Sequence, residues 1–259
     1  MTDPDFHKDR FDAERFAELR KTIEQALGEL GELHHPNFHR SAAPHLGDPR
    51  DLRFPTWSSQ QLIDIIHAAA CTEQFVAHPP DQIDFSGFLP VFTRLETLTK
   101  RGSEYGRVAT VNLSSKRIFF GETAVGDEHS VSIPVQSTPF KVPILTVHSH
   151  PTSSTARDSY HFSAIDICSF LELSSLQFTV VVAEGLTLIA MRTDATPRYN
   201  DQVEERILKL RDSMRSSMAG DMTGDRAIRF TKDVCKMLNL TLYRIKHSDG
   251  SGVAKRVIN

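Results

Sequence analysis

The sequence predicts an α/β protein: a curved mixed β-sheet flanked by helices, preceded by an N-terminal helical extension. Three observations lead there. β-Rich runs come in pairs joined by short turns, as hairpins do. Amphipathic helical stretches separate these pairs. The element order also lacks the strict βαβα alternation that a doubly wound parallel sheet requires.

Taken in order, Asp9 to Leu33 reads as a helix, with Phe11, Phe16, Leu19, Ile23, Leu27 and Leu30 forming one apolar stripe. His34 to Pro55, rich in proline and histidine, reads as a linker. A helix is expected from Ser58 or Ser59, either of which can cap it, to about Phe75; Leu62, Ile65 and Ile66 form its buried side. His78-Pro79-Pro80 closes that segment. Residues 1–80 are therefore expected to form the extension, 81–247 the core, and 248–259 a loose tail.

Within the core, Ser86 to Lys100 carries Phe88, Val91, Phe92, Leu95 and Leu98 on one helical side and stops at Arg101-Gly102. Tyr105–Asn112 and Lys116–Gly121 read as a hairpin, and Val131–Val135 and Pro143–Val147 as further strands. Phe162–Leu173 is expected to be a helix with Ser163 near its start. Phe178–Ala183 and Leu186–Arg192, joined at Glu184-Gly185, form the clearest hairpin. Helices over Tyr199–Met218 and Arg226–Leu238 and a strand over Leu240–Ile245 complete the chain.

The chain has 259 residues, a formal net charge of -3 and ordinary apolar content, which gives no reason to expect nucleic acid or an anionic membrane as partner. Met1 to Arg20 has no apolar h-region, so no signal peptide is expected, and no run of about 18 apolar residues predicts a membrane span. Cys71, Cys168 and Cys235 are scattered, without a C-x-x-C pair. That pattern suits a reducing cytoplasm and argues against a disulfide framework, a thiolate zinc site or a zinc deaminase.

Chemistry concentrates in His148-Ser149-His150-Pro151 and Ser163-Ala164-Ile165-Asp166. On an extended segment His148 and His150 point to one face, so two imidazoles converge without a special turn. Asp166, one turn into the next helix, can reach back to the strand end, with Ser163 on the same helical face. Two imidazoles and a carboxylate suit zinc and leave a fourth position for water. Hydrolysis also needs a proton acceptor. Glu104, opening a β-run after the helix stop, and Glu122, beyond the hairpin, are the two nearby carboxylates.

Together, Glu104 with Gly106 two residues on, His148-Ser149-His150-Pro151 and Ser163-Ala164-Ile165-Asp166 resemble the JAMM (MPN+) metalloprotease family. The family pattern is an upstream glutamate, H-x-H-P and S-x-x-D, and the likeness covers residues 84 to about 195, or to about 245 at its widest. It implies the family's cytidine-deaminase-like architecture. It implies one zinc per chain, bound by His148, His150 and Asp166. Glu104 would be the general base and acid, and Ser163 would donate to the developing oxyanion. The implied substrate is a peptide or isopeptide bond after the C-terminal tail of ubiquitin or a ubiquitin-like protein, in a bacterial conjugation, antiphage or sulfur-carrier system. The alternative is a non-catalytic scaffold of the same fold in an assembly.

The segment 151–162 is longer than the family's usual spacing and is expected to form a flap, with Tyr160 and His161 touching substrate. Asp158 is the second choice of metal ligand. His34, His35, His39 and His45, with no acidic or cysteine pattern nearby, read as solvated linker residues. Cys168 is expected to pack as a small apolar group, and Phe54 and Trp57 to anchor the extension. The N-terminal helices are candidates for self-association or partner binding.

Overall fold

The computed structural model describes residues 56–72, 74–138, 140–151, 161–216 and 225–257, all within one compact unit. The expected helix over Asp9–Leu33, the histidine-bearing linker, Phe54, Asp158 and Tyr160 lie outside the described residues. The elements are β1 (Thr56–Trp57), α1 (Ser59–Thr72), β2 (Gln82–Asp84), α2 (Leu89–Thr99), β3 (Tyr105–Asn112), β4 (Ile118–Phe120) and β5 (Ala124–Val125). After these come β6 (Lys141–Ser149), α3 (Ala164–Glu172), β7 (Phe178–Ala183), β8 (Leu186–Met191), α4 (Asp201–Ser216), α5 (Asp225–Met237), β9 (Thr241–Lys246) and β10 (Val253–Arg256).

The strands form one curled mixed sheet in the order β1-β2-β10-β9-β8-β7-β6-β3-β4, with β5 also on β3. β6 and β7 run parallel, as do β1 and β2, and the other pairs are antiparallel. Alternation along the strands sends apolar side chains to both faces. One face packs under α1 and α2, where Leu62, Ile66, Phe92 and Leu95 meet Leu145, Val147, Phe178 and Val180. The other packs under α3, α4 and α5, where Ile167, Phe170, Ile207 and Phe230 meet Val181, Ala190 and Leu242. Each large side chain fully buried this way contributes about 1.5–3 kcal/mol.

Local signals act as the sequence suggests. Ser58 Oγ accepts from Gln61 N (3.3 Å) and Gln61 Oε1 accepts from Ser58 N (2.9 Å), so Ser58 caps α1. Gly102, at φ 78°, and Gly185, at φ 73°, take the left-handed conformations that end α2 and turn β7 into β8. α1, read from the sequence as part of the extension, contributes its apolar side and Trp57 to the main core.

Two expectations are corrected. Val131–Val135 forms no strand, and among the described residues 131–137 make no backbone–backbone hydrogen bond. Pro134 lacks an N–H, and the apolar alternation is satisfied by packing rather than by a ladder. Residues 248–257 are not a loose tail: Gly250 and Gly252, at φ 60° and 66°, turn the chain so that β10 pairs with β9 and β2.

A bulge in β6 sets the geometry of the functional end. Pro143 pairs with Thr110 but Leu145 pairs with Ala109, leaving Ile144 as the extra residue. Downstream, His148 therefore lies opposite Gly106, and Ser149 opposite Tyr105. Residues directly opposite share a face, so Gly106 and His148 look toward α3 while Tyr105 turns into the other core.

Candidate metal centre

The centre lies where β6 ends and α3 begins, outside the carboxyl ends of two parallel strands joined by a helix, a position that suits ligand sites in α/β sheets. Its first part is rigid backbone. His148 is held between Gly106 of β3 and Val181 of β7, and His150 N donates to Val182 O (3.0 Å). Between the histidines, Ser149 points away into the core, where its Oγ accepts from Tyr105 N (3.1 Å).

α3 supplies the second part. Ser163 is its N-cap: Ser163 Oγ accepts from Asp166 N (3.1 Å), and Asp166 Oδ2 accepts from Ser163 N (2.7 Å). This reciprocal box fixes the Asp166 carboxylate and leaves Oδ1 pointing at β6. Asp166 Oδ1 lies 3.4 Å from His148 Nε2, and His148 Nε2 lies 3.2 Å from His150 Nε2. All three ligand atoms fall within 4.8 Å of one another. Tetrahedral zinc with bonds of about 2.0–2.2 Å separates its ligands by roughly 3.3–3.6 Å. The His148–Asp166 edge of 3.4 Å falls in that range and the His148–His150 edge of 3.2 Å lies just below it, and the donor set is one zinc favours. The group can hold a metal ion.

Glu104 forms the third part. Its backbone extends the pairing of β3 with β5, donating from N to Asp127 O (2.6 Å) and accepting at O from Gly126 N (2.9 Å). Its side chain thereby stands on the same face as His148 and His150, with Oε1 4.0 Å from His150 Nε2. Glu122 is exposed and does not line the cleft. His161 sets its ring edge-on to that of His150, with centroids 5.4 Å apart.

The electrostatics divide the two carboxylates. Burial pushes Glu104 up to about 7, and the nearby Asp166 and Asp127 add to the rise against the pull of His148. Burial would raise Asp166 too, but His148, His150 and the Ser163 N–H hold its carboxyl well below the usual range. Burial disfavours a charged His148, yet the Asp166 carboxylate outweighs this and raises its pKa. Asp166 is thus a permanent anion beside two imidazoles, and Glu104 is a carboxyl poised to exchange a proton near neutrality.

Glu104, His148, Ser163 and Asp166 open onto a cleft of about 300 Å³. α3 forms one wall, from Ile165 to Leu173, and residues 129–135 form the other. Ile165 stands 72% exposed at the mouth. Sequence reasoning missed this second wall and the Gly126–Ser130 turn that braces Glu104. The available signal was a strand-like alternation, Val131, Ile133 and Val135, interrupted by Pro134 and lacking a partner run.

No family model, curated protein or solved structure matches the chain. Among the described residues no helix is long and apolar enough to cross a membrane.

Proposed function

We propose that this protein is a zinc-dependent peptidase or isopeptidase of the JAMM (MPN+) type, with that family's architecture. It acts after the extended C-terminal tail of a ubiquitin-like protein in a bacterial-type conjugation or processing system. The observation that carries the reading is the convergence of His148, His150 and Asp166, with ligand atoms within 4.8 Å of one another, beside a buried Glu104. Zinc bound by these three side chains would supply Lewis acidity and lower the pKa of a coordinated water to about 7.

The remaining work falls to the chain. Glu104, with its pKa near neutrality, takes a proton at Oε1 and returns it to the leaving amine. Ser163 accepts from Asp166 N at its oxygen, so its hydroxyl hydrogen is available to an oxyanion in the cleft. The nine residues of α3 give a wall about 13 Å long, which spans about four residues of an extended peptide. Across from α3, residues 131–137 keep their backbone groups out of any ladder among the described residues, which suits a tail that binds by adding a strand.

The test is metal analysis of purified protein, followed by assay against a panel of ubiquitin-like domains fused through their tails to a reporter. The expected result is one zinc per chain, cleavage after the tail, and loss of cleavage in Glu104→Gln. Full activity in Glu104→Gln would refute the mechanism.

A further inference from the structure

Far from the metal centre, the sheet carries a charge arrangement that packing does not explain. Arg244 and Lys246 of β9 and Lys255 of β10 are exposed. The residues between and beside them, Tyr243, Ile245 and Ala254, are buried in the core under α1 and α2. Alternation therefore points the three cations out of the opposite face, the one on which His148 lies. One row of the ladder joins them: Lys255 is opposite Arg244, Arg244 opposite Leu188, Leu188 opposite Val181, and Val181 opposite His148. At about 4.8 Å per strand, Arg244 and Lys255 stand about 14 and 19 Å along that row from His148. They lie beyond the apolar part of the face that α3, α4 and α5 bury.

The arrangement is unfavourable in isolation. Arg244 and Lys255 are direct cross-strand partners, and like charges so placed destabilise a sheet. Their other neighbours in the row are Leu188 and Gln82, not acids. Among the described residues, none of the three cations makes an ion pair or a side-chain hydrogen bond. Nearby carboxylates are committed elsewhere. Asp84 Oδ2 accepts from Ser59 Oγ (2.6 Å) and Oδ1 from Ser86 N (2.8 Å). Asp81 faces Arg256 (3.9 Å), and Asp249 Oδ1 accepts from Ser248 Oγ (3.3 Å).

We propose that Arg244, Lys246 and Lys255 form a docking surface for an extended acidic segment of a partner protein. Arg244 and Lys246, two residues apart on one strand, are separated by about 6.6–6.8 Å, the spacing of alternate side chains in any extended chain. A segment lying along β9 with carboxylates at every second position meets each cation in turn, and Lys255 flanks it from the next strand. Single-stranded nucleic acid needs exposed rings on which bases stack. The exposed large apolar side chains among the described residues are Phe119, Val125, Phe140 and Ile165, none of them on β8, β9 or β10. Charge without a stacking platform favours carboxylates. Neither the metal nor cleavage enters this role, which stands apart from the hydrolase reading.

The experiment uses the full chain and a dye-labelled peptide of about ten residues that alternates glutamate and serine, matching the two-residue period of β9. Fluorescence anisotropy compares wild type, Arg244→Glu/Lys255→Glu and Arg117→Glu/Lys141→Glu. The last reverses the same two charges at exposed positions beside Phe119, toward the β4 edge of the sheet. Wild type should bind the peptide and release it as salt rises. Arg244→Glu/Lys255→Glu should weaken binding by about tenfold or more, and the β4-edge pair by less than about twofold. An uncharged glutamine–serine peptide should not bind. Thermal melting supplies a second readout that needs no ligand. Each single reversal at 244 or 255 creates an opposite-charge pair, and the double variant restores a like-charge one. The two single shifts in Tm should therefore sum to about 2 °C or more above the shift of the double. Absence of peptide binding by wild type, or equal losses in both double variants, would overturn the docking surface. Oligothymidine bound as tightly as the acidic peptide, and lost in the same variant, would replace the acidic segment with nucleic acid as the occupant. Additive melting shifts would remove the repulsion between Arg244 and Lys255 on which the proposal stands.

Discussion

Replacing Glu104 by glutamine should stabilise the metal-free protein at neutral and alkaline pH while abolishing its activity. Glu104 is 8% exposed and faces Asp166 and Asp127, so its carboxyl rises from 4.5 to about 7. The sign follows from linkage. A group whose folded pKa lies above its unfolded value contributes stability fully below the unfolded pKa and loses it as pH rises through the folded one. Wild-type stability relative to the glutamine variant should therefore fall between pH 4.5 and about 7 and then level off. The full difference corresponds to roughly 3 kcal/mol. For a chain of this size that is roughly 6–12 °C in Tm. The assay is thermal melting of chelator-treated wild type and Glu104→Gln from pH 4 to 8.5. A variant that melts below wild type at pH 8, or a difference independent of pH, would refute the argument that Glu104 is held in an environment hostile to its charge. A stabilising substitution at the proposed proton-transfer position would be the trade between stability and function expected of an active site.

Ser163→Ala removes the N-cap of α3 and should cost about 1 kcal/mol, lowering Tm by about 2–4 °C. Because His148, His150 and Asp166 stay in place, its zinc stoichiometry by elemental analysis should remain that of wild type, while kcat falls by about 10²–10³. Phe178→Ala removes a fully buried ring packed edge-on against Phe85 with centroids 5.5 Å apart; urea unfolding should show a loss of about 3–5 kcal/mol.

The parts of the fold legible in the sequence were those carried by local chemistry. Phe178–Ala183 and Leu186–Met191 are apolar runs around a glycine turn, and β3 begins and ends where its composition changes. The candidate metal ligands were legible because an i, i+2 pair on a strand and an Asp one turn into a capped helix each follow local periodicity. What distinguishes Glu104 from Glu122 is not local. It depends on the Ile144 bulge, which brings Gly106 opposite His148 and so puts Glu104 on the histidines' face. The short strands β1, β2 and β5 have two or three residues each, too few to show a period. β10 is a short strand set off only by the preceding Gly250 and Gly252, and its pairing with β2 spans most of the domain. Val131–Val135 shows the converse failure: its alternation is real, but it records packing onto Gly106 rather than a ladder.

The central claim is that His148, His150 and Asp166 share one divalent cation. It is tested most directly by calorimetric titration of zinc into chelator-treated wild type, His148→Ala, His150→Ala and Asp166→Asn. Wild type should bind one ion per chain, and each variant should lose at least the ~100-fold in affinity that removal of an outer-shell partner alone can cost. Wild type that binds no zinc, or variants that bind it as tightly as wild type, would contradict the claim.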